Sequence, residues 1–511
     1  MASTATPSSS TAPRLRRSLT LWDLILYGVI VIQPVAPMSV FGVLSDRGRG
    51  HVVTTLLIAM VAMLFTAFSY GRMARAYPSA GSAFTYVGQE INPAVGYITG
   101  WSMVMDYMLN PMICIIWCSQ QAHVFAPGVP YAVWAIFFAA VFTGLNIQGI
   151  KTSARVNTLL AAGMGAVVAI FFVAAARYIF GNPHDGAAFF SRPFYDPQTW
   201  DMKAVLGATS IAVLSYIGFD GISTLSEEAE NPRRNILLAT VLTCFVIGIL
   251  SALEVYAAQL IWPATQAFPN SDTAFTYVAG RAWAPLFAIV GFTLLVANFG
   301  SGMGAQIGAA RLLYGMGRSK ALPQSFFGVV DAKRHVPRNN VIFVGAIALA
   351  GALLVIVPAS PFHLWGVQRE DVCGGKLFCY GLGAEMLNFG ALIAFMGVNL
   401  AAFFRYHVRE GGGGPILPLV ITGVVIALVL VPYQSLALLG LAGLGLAILA
   451  VWTPPLAGFA ICFFLWKNLS WKAWIVGGIW MIVGIAFGAI KTRGFRGNLI
   501  DFELPAEESQ E

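Results

Sequence analysis

The chain reads as an all-α polytopic membrane protein, and three observations carry that reading. Of 511 residues, 58% are hydrophobic and only 10% are charged, whereas a soluble domain carries about a quarter charged residues. Mean hydropathy is +0.74, and apolar runs of about 20 residues recur, each long enough to cross a bilayer as a helix. Acids sit inside some of these runs, where they cost a few kcal/mol and mark cavities or partners.

The elements follow in order. Residues 1–20 are rich in Ser, Thr and Pro and carry Arg14, Arg16 and Arg17; they read as a disordered cytoplasmic tail. The next apolar run is too long for a cleaved signal segment. It forms span one, about residues 22–45, and contains Gln33-Pro34-Val35-Ala36-Pro37. Proline removes a backbone donor, so the middle of this span is expected to unwind. Spans two to five fall at about 51–71, 94–123, 131–148 and 154–180.

A polar loop, 181–203, leads into span six. Its apolar start breaks at Ser215-Tyr216-Ile217-Gly218-Phe219, and Asp220 follows at once. Glu227 and Glu228 come further along, before Asn231-Pro232. Asp220 is either a path-lining acid or an acid in interfacial water near a kink. Spans seven to ten lie at about 236–261, 283–313, 340–357 and 384–405. Beyond them, 416–452 reads as an extra hydrophobic hairpin and 454–467 and 473–490 as two last spans. Fourteen spans is the preferred count and twelve the alternative. Residues 491–511 form a cytoplasmic tail, whose acidic end, Asp501 to Glu511, is expected to be solvated.

Interrupted spans in corresponding positions of two halves point to a binding site near the bilayer midplane. Here the broken spans are the first and the sixth. The sixth comes five spans after the first, so the second half is inverted relative to the first. Residues 21–180 then form one repeat and 181–408 the other, with 409–490 appended.

The net charge of +7 does not imply nucleic acid. Lys and Arg crowd the loops on the side of the amino terminus, the pattern of cytoplasmic loops, so both termini are expected in the cytoplasm of a plasma (inner) membrane. No phosphate-binding Gly-rich loop with lysine, HExxH or CxxC occurs, and the six histidines are scattered. This argues against a pump, a metalloprotease or any other enzyme, and no cofactor or metal is implied.

Four stretches carry a resemblance. They are FTAFSYGRMARAYPSAGSAFTYV (65–87), GWSMVMDYMLNPM (100–112), GFDGISTLSEEAENPRRN (218–235) and ARLLYGMGRSKALPQSFFGVV (310–330). In that order they resemble the amino acid–polyamine–organocation permeases, and especially the bacterial putrescine importers. The resemblance implies a leucine-transporter-like five-plus-five inverted repeat with discontinuous first and sixth spans. It also implies secondary active import of a small amine or amino acid.

On the broken spans, the substrate-binding candidates are Ile32, Gln33, Val35, Ala36 and Ser39, then Ser215, Tyr216, Gly218, Phe219 and Asp220. Asp106-Tyr107 matches the Asp-Tyr of the putrescine importers, where the tyrosine is implicated in uptake; an ordinary interhelical hydrogen bond is the alternative for Tyr107. Amino acid carriers of the superfamily hold the substrate carboxylate with backbone amides at a glycine-rich first break. The prolines here offer none, which favours an amine. Against that, Ser39 stands where the putrescine importers carry an acid, so a neutral or aromatic amino acid remains the second reading. A transporter-derived sensor is a remote third.

Coupling is expected to protons, with sodium as the alternative. Met164 stands where many proton-coupled members carry a lysine. The remaining proton candidates are Asp220 and Glu254, an acid within apolar span seven. Glu254 is either a proton carrier or a neutral acid bonded to a neighbouring helix. Asn298, Ser301 and Gln306 line the path or pack helices. Cys114, Cys118, Cys244 and Cys462 fall in apolar spans and are expected as buried thiols. Cys373 and Cys379 flank a short turn in a polar outer loop, 358–383, where a disulfide persists.

Overall fold

The computed structural model describes residues 19–492 apart from 78–81, 149–153, 227–228, 319–321, 332, 335, 359–372, 374, 411–415 and 431–435. Glu227, Glu228, residues 1–18 of the leading tail and residues 493–511 of the trailing one lie outside the described residues.

The first half runs α1 (Leu21–Ile32), α2 (Ala36–Arg47), α3 (Val52–Ala76), α4 (Ser82–Glu90), α5 (Pro93–Phe125), α6 (Tyr131–Gln148) and α7 (Ala154–Gly181). A short α8 (Ala187–Ser191) precedes α9 (Met202–Ala212), α10 (Pro232–Ile261), α11 (Ala274–Ala282), α12 (Leu286–Arg318), α13 (Gln324–Phe327), α14 (Arg338–Leu353) and α15 (Tyr380–Phe403). The last four are α16 (Ile416–Leu430), α17 (Leu436–Trp452), α18 (Pro454–Lys467) and α19 (Trp471–Lys491). Among the described residues no strand forms, only isolated bridges at Leu19–Ala229 and Pro358–Lys376.

Ten helices among the described residues are long and apolar enough to cross a membrane, and the bent pair α1–α2 makes an eleventh span. α16, α17 and α18 are shorter apolar helices. Among the spans that run past their sequence-based bounds are α3, to Ala76, and α10, back to Pro232. Both extensions carry arginines, which end an apolar run in the sequence without ending a helix.

Local chemistry sets the breaks. Thr20 opens α1 with a capping box, its hydroxyl accepting from the Asp23 amide while the Asp23 carboxylate accepts from the Thr20 amide. α1 stops at Gln33, whose φ of +70° is left-handed, and α2 departs at 44°. Pro34 and Pro37 remove two amide donors at this corner. In the sixth span, α9 passes into two 3-10 turns, Val213–Ser215 and Phe219–Leu225. Gly218 between them has φ +124°, a region that favours glycine. The two breaks touch: a Cβ on Gly218 would lie 3.0 Å from Val31 and 3.3 Å from Ile32.

α5 runs through the middle of the bundle, packed by α4, α12, α14 and α15, and α10 packs along α3. With 33 residues, α5 is about 50 Å long. It is largely enclosed, whereas α6, with 18 residues, presents most of its surface outward.

At the bundle end where α1 begins, Glu90 at the close of α4 is fully enclosed. Its carboxylate takes Arg405 at 3.2 Å and Arg409 at 2.9 Å, and Tyr77 donates to it at 2.7 Å. This clamp ties α4 to the π-helical turn Phe404–Arg409 that ends α15. At the opposite end, Arg47 pairs with the buried Glu385 of α15 at 2.7 Å.

Candidate functional site

The site is built from the two breaks and the middle of α5. The 3-10 turn after Gly218 turns Asp220 inward, where its Oδ1 accepts from the Gly218 amide at 3.2 Å. Its Oδ2 accepts from the Tyr107 hydroxyl of α5 at 3.5 Å. Asp106, one residue earlier on α5, is buried and makes no hydrogen bond to a described residue. The Asp106 and Asp220 carboxyls lie within electrostatic reach of each other. No Lys, Arg or His among the described residues pairs with either.

Aromatic rings wall the pair. Tyr70 of α3 makes edge contacts with Phe219, Tyr86 and Phe395 at 5.6, 6.2 and 5.9 Å between centroids. Its buried hydroxyl has no hydrogen-bond partner among the described residues, and it lies within electrostatic reach of Asp220, Tyr107 and Asp106. Tyr27 of α1 acts on Tyr107 in the same way. An acid pair beside phenol rings can attract cations: carboxylates do so directly, and ring faces add cation–π attraction.

The first break contributes differently. Gln33 donates to the Ala297 carbonyl of α12 at 2.7 Å, and Ser39 accepts from Asn298 at 3.0 Å. Val35 is buried and Ala36 half-buried beside them. Ser215 is buried with an unpartnered hydroxyl. Tyr216 turns away from the acids, and its hydroxyl donates to the Leu56 carbonyl of α3 at 2.8 Å. Gln306 packs helices, donating to Thr143 and to the Val341 carbonyl. Glu254 is buried on α10, outside this cluster. The sequence-based selection omitted Tyr70, Tyr86 and Tyr27; the first two stand inside the 65–87 stretch, and their hydroxyls in an apolar helix were the available signal.

Beyond the Arg47–Glu385 pair lies a cavity of about 390 Å³, lined by Asp46, Asn270, Asp272, Lys376, Cys373 and Cys379 among others. The two cysteines form a disulfide with Cα atoms 5.5 Å apart. Cys114, Cys118, Cys244 and Cys462 are buried free thiols. Ser271 bridges to Asp46 at the rim. Burial pushes the Asp272 carboxyl up to about 6, with Lys376 opposing and Asp46 adding to the rise.

The family model for amino acid permeases matches residues 36–363. The chain is 32% identical to the low-affinity putrescine importer PlaP of Escherichia coli (strain K12), over 98% of this chain and 99% of the relative. It is 24% identical to the branched-chain amino acid permease BcaP of Bacillus subtilis (strain 168), over 94% of each. It is 25% identical to the chloroplastic cationic amino acid transporter 6 of Arabidopsis thaliana, over 74% of this chain and 66% of the relative. With a family model across most of its length and a full-length relative above 30% identity, the chain belongs to the amino acid permease family of multi-pass membrane transporters.

Proposed function

We propose that the chain imports a small organic amine, with a diamine such as putrescine as the leading substrate, and that protons drive it. The observation that carries the substrate reading is the Asp106–Asp220 pair, buried together without a basic partner among the described residues. A substrate with a carboxylate meets repulsion there, and a substrate with two ammonium groups meets two acids. The relatives above are named for putrescine, for branched-chain and for cationic amino acids. Of these, putrescine brings two positive charges and no negative one.

In this reading the end of the bundle with Arg47 faces outward and the end with Glu90 faces the cytoplasm, as the placement of Lys and Arg requires. The Arg47–Glu385 pair then closes the outer path and the α4 clamp frames the inner mouth. A neutral amino acid is the second reading. The Ser215 hydroxyl at the second break, buried and without a hydrogen-bond partner among the described residues, favours it as a donor to a carboxylate.

Counterflow in proteoliposomes tests this. Labelled putrescine should exchange, and unlabelled diamines should compete better than leucine or tyrosine. Competition by amino acids alone would overturn the amine reading.

A further inference from the structure

We infer that Glu254 carries the driving proton, at a site separate from the acids that face the substrate. The inference rests on the proton-driven reading above. Glu254 is fully buried in α10, and neither carboxyl oxygen has a hydrogen-bond partner among the described residues. A structural acid in a membrane helix holds its place by hydrogen bonds or an ion pair. This one has neither among the described residues.

The elements packed on α10 include α1, α2, α3, α7, α11 and the turn Phe219–Leu225. Their described ionisable groups are Asp23 and Tyr27; Asp46 and Arg47; Tyr70, Arg72 and Arg75; Arg177 and Tyr178; Tyr277 and Arg281; and Asp220. None of them forms a hydrogen bond or an ion pair with Glu254. An ionised carboxylate so placed costs several kcal/mol, so this arrangement holds the neutral acid. The proton leaves only when neighbouring helices move and admit water or a partner.

The helix places that event at the moving parts. Thr243, Ile247 and Glu254 fall on one stripe of α10 that is roughly 40° wide. Thr243 packs against α1 and the second break: a Cβ on Gly28 would lie 2.9 Å from its hydroxyl and 2.5 Å from Ile222. Ser251, between Ile247 and Glu254, also carries a buried, unpartnered hydroxyl. Gly248 packs on Tyr216 of the sixth span, and Glu254 lies about 9 Å further along the axis toward the end with Arg47. The stripe thus runs from the breaks toward the outer half of the bundle. The chemistry is one O–H bond: it forms with a proton from the outer water and breaks when the proton passes to the inner water.

The test uses purified full-length protein in liposomes, with labelled putrescine. Glu254→Gln mimics the protonated acid. It should keep counterflow at equal pH within about twofold of the parent protein and lose accumulation driven by a pH gradient at least tenfold. Gradient-driven accumulation equal to the parent's overturns the assignment. If the parent itself shows no response to the gradient, the proton-driven reading fails, and this inference with it. If Glu254→Gln is silent in both assays, Glu254→Asp decides. Restored gradient-driven accumulation supports the role, and failure to restore it overturns it.

Discussion

The Tyr107 hydroxyl stands 3.5 Å from Asp220 Oδ2, and this contact joins the continuous helix α5 to the broken sixth span. It spans 113 residues of sequence and sets a phenol and a carboxylate side by side where the two elements meet.

Asp220→Asn should therefore cut putrescine uptake at least tenfold while membrane insertion stays intact. Tyr107→Phe should do less, raising KM by about tenfold, the value of one hydrogen bond to a charged group. Uptake kinetics with matched surface abundance measure both. Parent-like kinetics in Asp220→Asn would remove that residue from the site.

Gly218→Ala should destabilise the protein by about 1–3 kcal/mol, because the left-handed backbone is strained for a residue with a Cβ. The new methyl also presses on Val31 at 3.0 Å, so transport should fall with stability. A melting temperature in detergent that matches the parent's would show that the two breaks separate freely.

Glu90→Gln leaves two arginines without their shared carboxylate. Breaking a buried pair from one side costs up to about 3–5 kcal/mol, with the exposure of Arg409 reducing the loss. The melting temperature should drop, and Arg405→Ala should drop it in the same direction. An unchanged temperature in both variants would mean that α4 is held by packing alone.

Asp272 lies between α10 and α11, outside the spans. Its carboxyl is pushed up from 3.8 to about 6, first by desolvation. The native state therefore holds the proton over roughly pH 4–6 while the unfolded chain has lost it. Stability contributed by the neutral acid is present below that window and lost as pH rises through it. Asp272→Asn should flatten this fall and melt higher than the parent at pH 7.5. Melting curves at pH 4.5 and 7.5 check it; a lower melting temperature for the variant at pH 7.5 would mean that Lys376 outweighs the burial cost.

Both breaks were legible before any coordinates. Pro34 and Pro37 announce the first, and Gly218 followed by an acid announces the second. Asp106-Tyr107 was legible through its motif. Which face each residue takes was not. A membrane helix is apolar toward lipid and toward protein alike, so its sequence gives little sign of which side faces in. Tyr216 shows this: it stands in the break, yet its hydroxyl serves α3. Glu90 shows the converse, an acid at the end of a short helix that becomes the centre of a clamp. Pairing Asp106 with Asp220, or burying Glu254 without a hydrogen-bond partner among the described residues, requires the folded arrangement of helices distant in sequence.

The disparity between α5 and α6 reaches beyond the protein. Most of α6 looks outward while α5 is screened by its neighbours, so along this flank lipid meets α6. A charge introduced on the outward face of α6 would meet hydrocarbon, at a cost of about 2.5–3.5 kcal/mol at the helix centre, whereas the same change on α5 would meet protein.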